Sequence, residues 1–186
     1  GCSNSVSHTT SVLAAYTGPS SSASPYVLPV ATGVTTTAVL TTPNVIGGYE
    51  MEGIPDGLGA FDNGNGTFTL LMNHELTNSG VTSGVTRAHG SNGAFVSKWT
   101  IDKTTLTVQN GSDLMQNVHL WNPGTSTYTT YNSGNPSTLA RFGRFCSADL
   151  PPVSAFYNSG TGLGPQERIF MNGEETNDES RAMAHI

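Results

Sequence analysis

Phe95-Val96-Ser97-Lys98-Trp99-Thr100-Ile101 is followed by Asp102-Lys103-Thr104-Thr105 and then by Leu106-Thr107-Val108-Gln109. In the first run Phe95, Ser97, Trp99 and Ile101 fall on one side of an extended chain, and Val96, Lys98 and Thr100 on the other. That two-residue period belongs to a β-strand. The four polar residues after it turn the chain into a second run, which predicts a hairpin closed by Asn110-Gly111. Its continuation through Leu114 to Trp121 predicts an antiparallel meander of the kind that forms propeller blades. No tidy internal repeat accompanies it, so a propeller is not forced.

The rest of the chain supports an all-β class. Ser, Thr, Gly and Asn clusters bound short apolar runs, and no long segment spaces its apolar residues at a helical period. Gly64-Asn65-Gly66 marks a turn, and the strand Thr67 to Met72 after it leads into Asn73-His74-Glu75. Glu167 to Asn172 predicts a later strand ending at Gly173-Glu174-Glu175, and Ala184-His185-Ile186 the start of another. Residues 122–140 are expected to form a long polar surface connection. Residues 1–46, rich in Ser, Thr, Ala and Pro, are expected to be an extended arm, with the propeller-like region over 47–186.

Composition narrows the function. Charged residues make up 11% of the 186, against about 25% in an ordinary soluble domain, so Ser, Thr, Asn and Gly must carry solubility. A net charge of -6 with seven Lys and Arg offers no basic stripe for a phosphate backbone, which argues against nucleic-acid binding. No run approaches the ~18 apolar residues of a membrane span, and no basic-then-apolar leader is present, as in mature, processed material. Cys2 near the start fits either a lipoprotein remnant or a disulfide with Cys146. Asn65 and Asn110 lie in glycosylation sequons, which matter only in a eukaryotic secretory route.

The candidate chemistry is metal binding. Asp56, Glu75, Glu174 and Glu175 stand in segments that follow or border strands and offer hard oxygen ligands for calcium or magnesium. The plainer alternative is that each acid solvates a strand end or pairs with Arg168 or Arg181. Adjacent Glu174 and Glu175 are more informative, because neighbours in an extended chain point to opposite faces and one must turn inward or the strand must bulge. Asn73 and His74 are supporting candidates beside Glu75. Cys146, in Arg144-Phe145-Cys146-Ser147, stands between basic residues and Asp149 and is either a soft metal ligand, a disulfide partner or an inert thiol. Serine-hydrolase, nucleotide-binding and zinc-ribbon motifs are absent from the sequence.

Several of these segments together resemble the opening of PhoX-type alkaline phosphatases. They are Gly53-Ile54-Pro55-Asp56-Gly57-Leu58-Gly59-Ala60-Phe61, Leu71-Met72-Asn73-His74-Glu75, Gly93 to Trp99, Arg144 to Ser147, Phe170 to Thr176 and Arg181 to His185, in the family's order. The resemblance covers about residues 47–186. It implies the N-terminal part of a β-propeller and a secreted, periplasmic or cell-surface phosphomonoesterase that uses iron and calcium. It further implies Cys146 as the iron ligand, Glu174 or Glu175 as a metal ligand beside it, and Asp56 and Glu75 as metal-binding or site-supporting residues. The substrate implied is a phosphate ester, and a C-terminal partner fragment or neighbouring subunit is implied to complete the site. The rival expectation is an extracellular structural or filament-forming subunit without activity, suggested by the low charge and the Ser/Thr-rich arm.

Overall fold

A computed structural model describes residues 14–79, 84–176 and 179–186. Among these residues the elements are all strands apart from two single 3-10 turns. In chain order they are β1 (Ala15–Thr17), β2 (Thr36–Ala38), β3 (Val45–Ile46), β4 (Tyr49–Glu50), β5 (Pro55–Asp62), β6 (Thr67–His74), β7 (Phe95–Asp102), β8 (Val108–Asp113), β9 (Val118–Asn122), β10 (Thr127–Tyr131), β11 (Phe145–Asp149), β12 (Phe170–Glu174) and β13 (Ala182–His185). The all-β expectation is met. The sheets are the four-stranded meander β5-β6-β7-β8, the three-stranded β11-β12-β13, and the pairs β9-β10, β3-β4 and β1-β2, of which only β1-β2 is parallel. Among the described residues no sheet closes on itself.

The β6–β7 register places Phe68, Leu70, Met72 and His74 opposite Ile101, Trp99, Ser97 and Phe95, so these eight side chains share one face of the meander. Val39, Leu40, Ile46 and Tyr49 pack against Met72, Trp99 and Ile101 on that face. The backbone N–H of Val108 donates to Ser20 Oγ at 2.9 Å. The stretch of residues 14–46 therefore lies on the meander over part of its length, and exposes Tyr26, Val27 and Val30. On the opposite face Leu71 and Val96 join Phe142, Phe145 and Phe170 in a second core. Val96 is buried for this reason although its neighbours Lys98 and Thr100 on the same face are more open.

Two expectations are corrected. Asn110-Gly111 does not close the hairpin but lies inside β8, with Gly111 opposite Trp99. A Cβ on Gly111 would overlap the Trp99 indole and stand 2.7 Å from the Tyr49 ring, so this glycine is the flat floor under an aromatic ring. The turn is made earlier, where Asp102 Oδ1 accepts from the backbone of Thr104 and Thr105 and Leu106 takes a φ of 58°. Residues 122–140 are not a plain loop either. Thr127–Tyr131, a run of β-branched and aromatic residues, pairs back on β9 as a hairpin, and Thr138–Ala140 forms a 3-10 turn capped by Ser137.

Candidate metal centre

The site lies where β5 of the meander runs beside β11 of the three-stranded sheet. Two glycines allow this approach: a Cβ on Gly57 would be 2.5 Å from the Cys146 carbonyl and 2.6 Å from the Ala148 Cβ, and one on Gly59 would be 2.6 Å from the Leu150 Cβ. With no side chain at either position, the two strands' backbones come close.

Each of these strands carries the same irregularity. Between Pro55 and Leu58 the β5–β6 register shifts, so that three steps along β5 match the two from His74 to Met72. Between Phe145 and Ala148 the β11–β12 register shifts in the same way against Glu174 to Asn172. The bulged positions are Asp56-Gly57 in one sheet and Cys146-Ser147 in the other. The strand ends match too: the Glu75 N–H donates to the Ile54 carbonyl at 2.8 Å, and the Glu175 N–H donates to the Arg144 carbonyl at 2.9 Å. Asp56 therefore corresponds to Cys146, and Glu75 to Glu175. A bulge bends its strand and re-aims a side chain, and here two of them aim at one point.

The ligand atoms of Asp56, Glu75 and Cys146 all lie within 4.8 Å of one another. The Cys146 thiol donates to Glu175 Oε2 at 2.8 Å, and Arg144 Nη2 donates to Glu75 Oε1 at 2.5 Å. Three carboxyl groups and a thiol thus face one guanidinium, an excess of negative charge that only protons or a cation relieve. The protonation preferences follow. Loss of hydration, then hydrogen bonds and charge from Glu175 and Glu75, push the Cys146 thiol up to about 12. Loss of hydration followed by the Glu75 charge raises the Asp56 carboxyl, while the hydrogen bond from Cys146 and then Arg144 lower Glu75. Cys146 carries a free thiol, and the expectations that concern Cys2 fall outside the described residues.

The other sequence candidates sit around this centre. Glu174 turns inward and is buried, accepting from the backbone N–H of Gly143 at 3.0 Å and of Arg181 at 3.2 Å. Glu175 is the member of the pair that reaches the cluster. Asn73 supports it from beneath, its Nδ2 donating to the carbonyls of Cys146 at 3.0 Å and Ser147 at 3.2 Å. His74 points to the opposite face, where Nδ1 donates to the Glu52 carbonyl at 2.5 Å and Nε2 accepts from Ser97 Oγ at 2.7 Å. Both ring nitrogens are engaged there, and the ring stacks on Phe95 with centroids 4.1 Å apart.

Sequence reasoning did not single out Arg144, Gly57, Gly59 or Asn172 for these roles. The alternating glycines of Pro55 to Gly59 and the Met-Asn pair ahead of each acidic strand end were the available signals. None of the known protein families, curated proteins or solved structures compared with the chain matches it.

Proposed function

We propose that the cluster of Asp56, Glu75, Cys146 and Glu175 is a metal centre, and that the chain contributes it to a secreted, metal-dependent phosphomonoesterase. The observation that carries the metal reading is the convergence of Asp56, Glu75 and Cys146 to within 4.8 Å from matching bulges of two sheets. The donor set fits a thiolate-accepting ion such as iron at Cys146 and a hard cation such as calcium among the carboxylates. The resemblance to PhoX-type phosphatases supplies the reaction and the wider propeller. When bound, such cations neutralise phosphoryl oxygens and activate an oxygen nucleophile.

The chain's own residues hold the centre and set its charge. Asp56 and Cys146 would release their protons to become ligands, Glu75 and Glu175 would add carboxylate oxygens on either side, and Arg144 would offer its guanidinium to an incoming phosphate. A partner fragment or neighbouring subunit completes the coordination sphere in this proposal. The outer edge of β13, which among the described residues is bonded only to β12, is one place for it. The exposed Tyr26, Val27 and Val30 favour a second reading, an extracellular structural subunit that buries this stretch against a neighbour.

Elemental analysis of natively purified protein, paired with a phosphomonoester hydrolysis assay before and after chelation, tests the proposal. Iron and calcium together with chelator-sensitive hydrolysis, both lost in Cys146→Ser, are expected. Metal-free protein that polymerises and hydrolyses nothing would favour the structural reading.

A further inference from the structure

The carbonyls of Cys146 and Ser147 lie within the register shift of β11, where ladder pairing is interrupted. Both accept from Asn73 Nδ2, so that amide must turn its oxygen the other way. Asn73 Oδ1 accepts from Asn172 Nδ2 at 2.9 Å, which leaves Asn172 Oδ1 to accept from His185 Nε2 at 3.0 Å. Each orientation fixes the next, and His185 is left to donate from Nε2. That ring sits beside Phe145 and Phe170, with centroids 6.4 and 5.9 Å away. Asn73 and Asn172 are buried, so each of these hydrogen bonds is costly to leave unmade.

We propose that Asn73, Asn172 and His185 are positioning residues: a hydrogen-bonded relay across β6, β12 and β13 that locks the β11 bulge and holds Cys146 Sγ toward Glu75 and Glu175. Its consequence for metal affinity rests on the reading of the cluster as a metal centre, whereas its hold on Cys146 does not. Glutamine places an amide nitrogen near the position of a histidine Nε2 and keeps the donor, whereas leucine removes it.

The test uses the whole chain in a Cys2→Ser background with two readouts. In metal-free protein, alkylation of Cys146 by iodoacetamide is expected to quicken at least ~10-fold in His185→Leu, as the bulge is released, and to stay native in His185→Gln. Under cobalt(II) titration, the thiolate-to-cobalt charge-transfer band is expected in the parent and in His185→Gln. In His185→Leu it is expected only at ~10–100-fold higher metal concentration, the usual size of an outer-shell effect. Unchanged alkylation in His185→Leu, or equal acceleration in both variants, overturns the positioning role. A parent protein without the cobalt band overturns the metal reading instead, and alkylation still decides the relay. Should His185→Leu lose its cooperative thermal transition, Asn172→Ser is measured in its place with the same expectations.

Discussion

Two acidic clusters flank the end of β6, and they solve the same electrostatic problem in opposite ways. On the face toward His74, Arg87 pairs with Glu52 and, at 3.4 Å, with Asp113, and its side chain is 8% exposed. Its guanidinium lies 3.6 Å over the Phe95 ring. Asp113 also accepts from the Tyr49 hydroxyl at 2.6 Å and the Ala88 N–H at 2.8 Å. On the face toward Asn73, the only guanidinium among the described residues in hydrogen-bonding contact with the cluster is Arg144, 52% exposed, against three carboxyl groups and a thiol. The first cluster is built around a buried arginine and is largely satisfied from within. The second is open and under-neutralised, which is what a structural network does not need and a cation site does.

The sharpest way to break this contrast is to remove each arginine. Arg87→Met takes the cation from the part-buried carboxylates of Glu52 and Asp113 and is expected to cost up to about 3 kcal/mol, whereas Arg144→Met at the rim is expected to cost under ~1 kcal/mol. Urea unfolding of both variants checks this, and equal losses would dissolve the distinction. Next in size is the pH response of His74, which burial lowers from 6.5 to about 4. Because the folded state favours the neutral ring, its contribution is complete above the unfolded value of 6.5. It is lost as pH falls toward 4, by about 3 kcal/mol if the whole shift is realised. His185 shifts the same way, again through burial. Urea midpoints at pH 7 and pH 4.5 measure the loss, which His74→Gln is expected to reduce.

The approach of the two sheets is probed by Gly57→Ala. Its methyl would meet backbone atoms of β11 rather than a yielding side chain, so a loss of about 1–3 kcal/mol is expected in thermal unfolding. The mildest effect separates charge from packing at the open cluster. Asp56→Asn in metal-free protein is expected to leave stability within ~1 kcal/mol of the parent, or raise it, since it removes a repelled carboxylate. The same variant is expected to weaken cobalt binding in the titration above. In the parent, that affinity is expected to rise with pH by about tenfold per unit for each proton displaced, because Cys146 must shed a proton it holds up to about 12.

Much of this was legible in the amino-acid order. The alternation of Phe95 to Ile101 marked a strand and divided its side chains between two faces, because a pleated chain repeats every two residues whatever lies around it. Polar residues at the ends of Thr67 to Met72 and of Glu167 to Asn172 marked the site segments, since a strand end is where an acid escapes the core, although the second strand begins only at Phe170. The adjacent pair Glu174 and Glu175 announced that one must turn inward or the strand must bulge. Asn110-Gly111 misled because local turn chemistry was outweighed by the Trp99 ring, which needs a residue without a side chain beneath it.

The tertiary structure alone decided which acids meet. Glu174 and Glu175 differ in role although they are neighbours, because the backbone N–H groups of Gly143 and Arg181 take the first, while the second reaches Cys146, 29 residues away. The equivalence of Asp56 with Cys146 and of Glu75 with Glu175 is written in hydrogen-bond register rather than in residue identity. The sequence determined strands, turns and the kinds of ligand available. Which of them converge depended on two glycines that let β5 and β11 touch and on a one-residue slip in each sheet, and both are properties of packed backbones that no local pattern encodes.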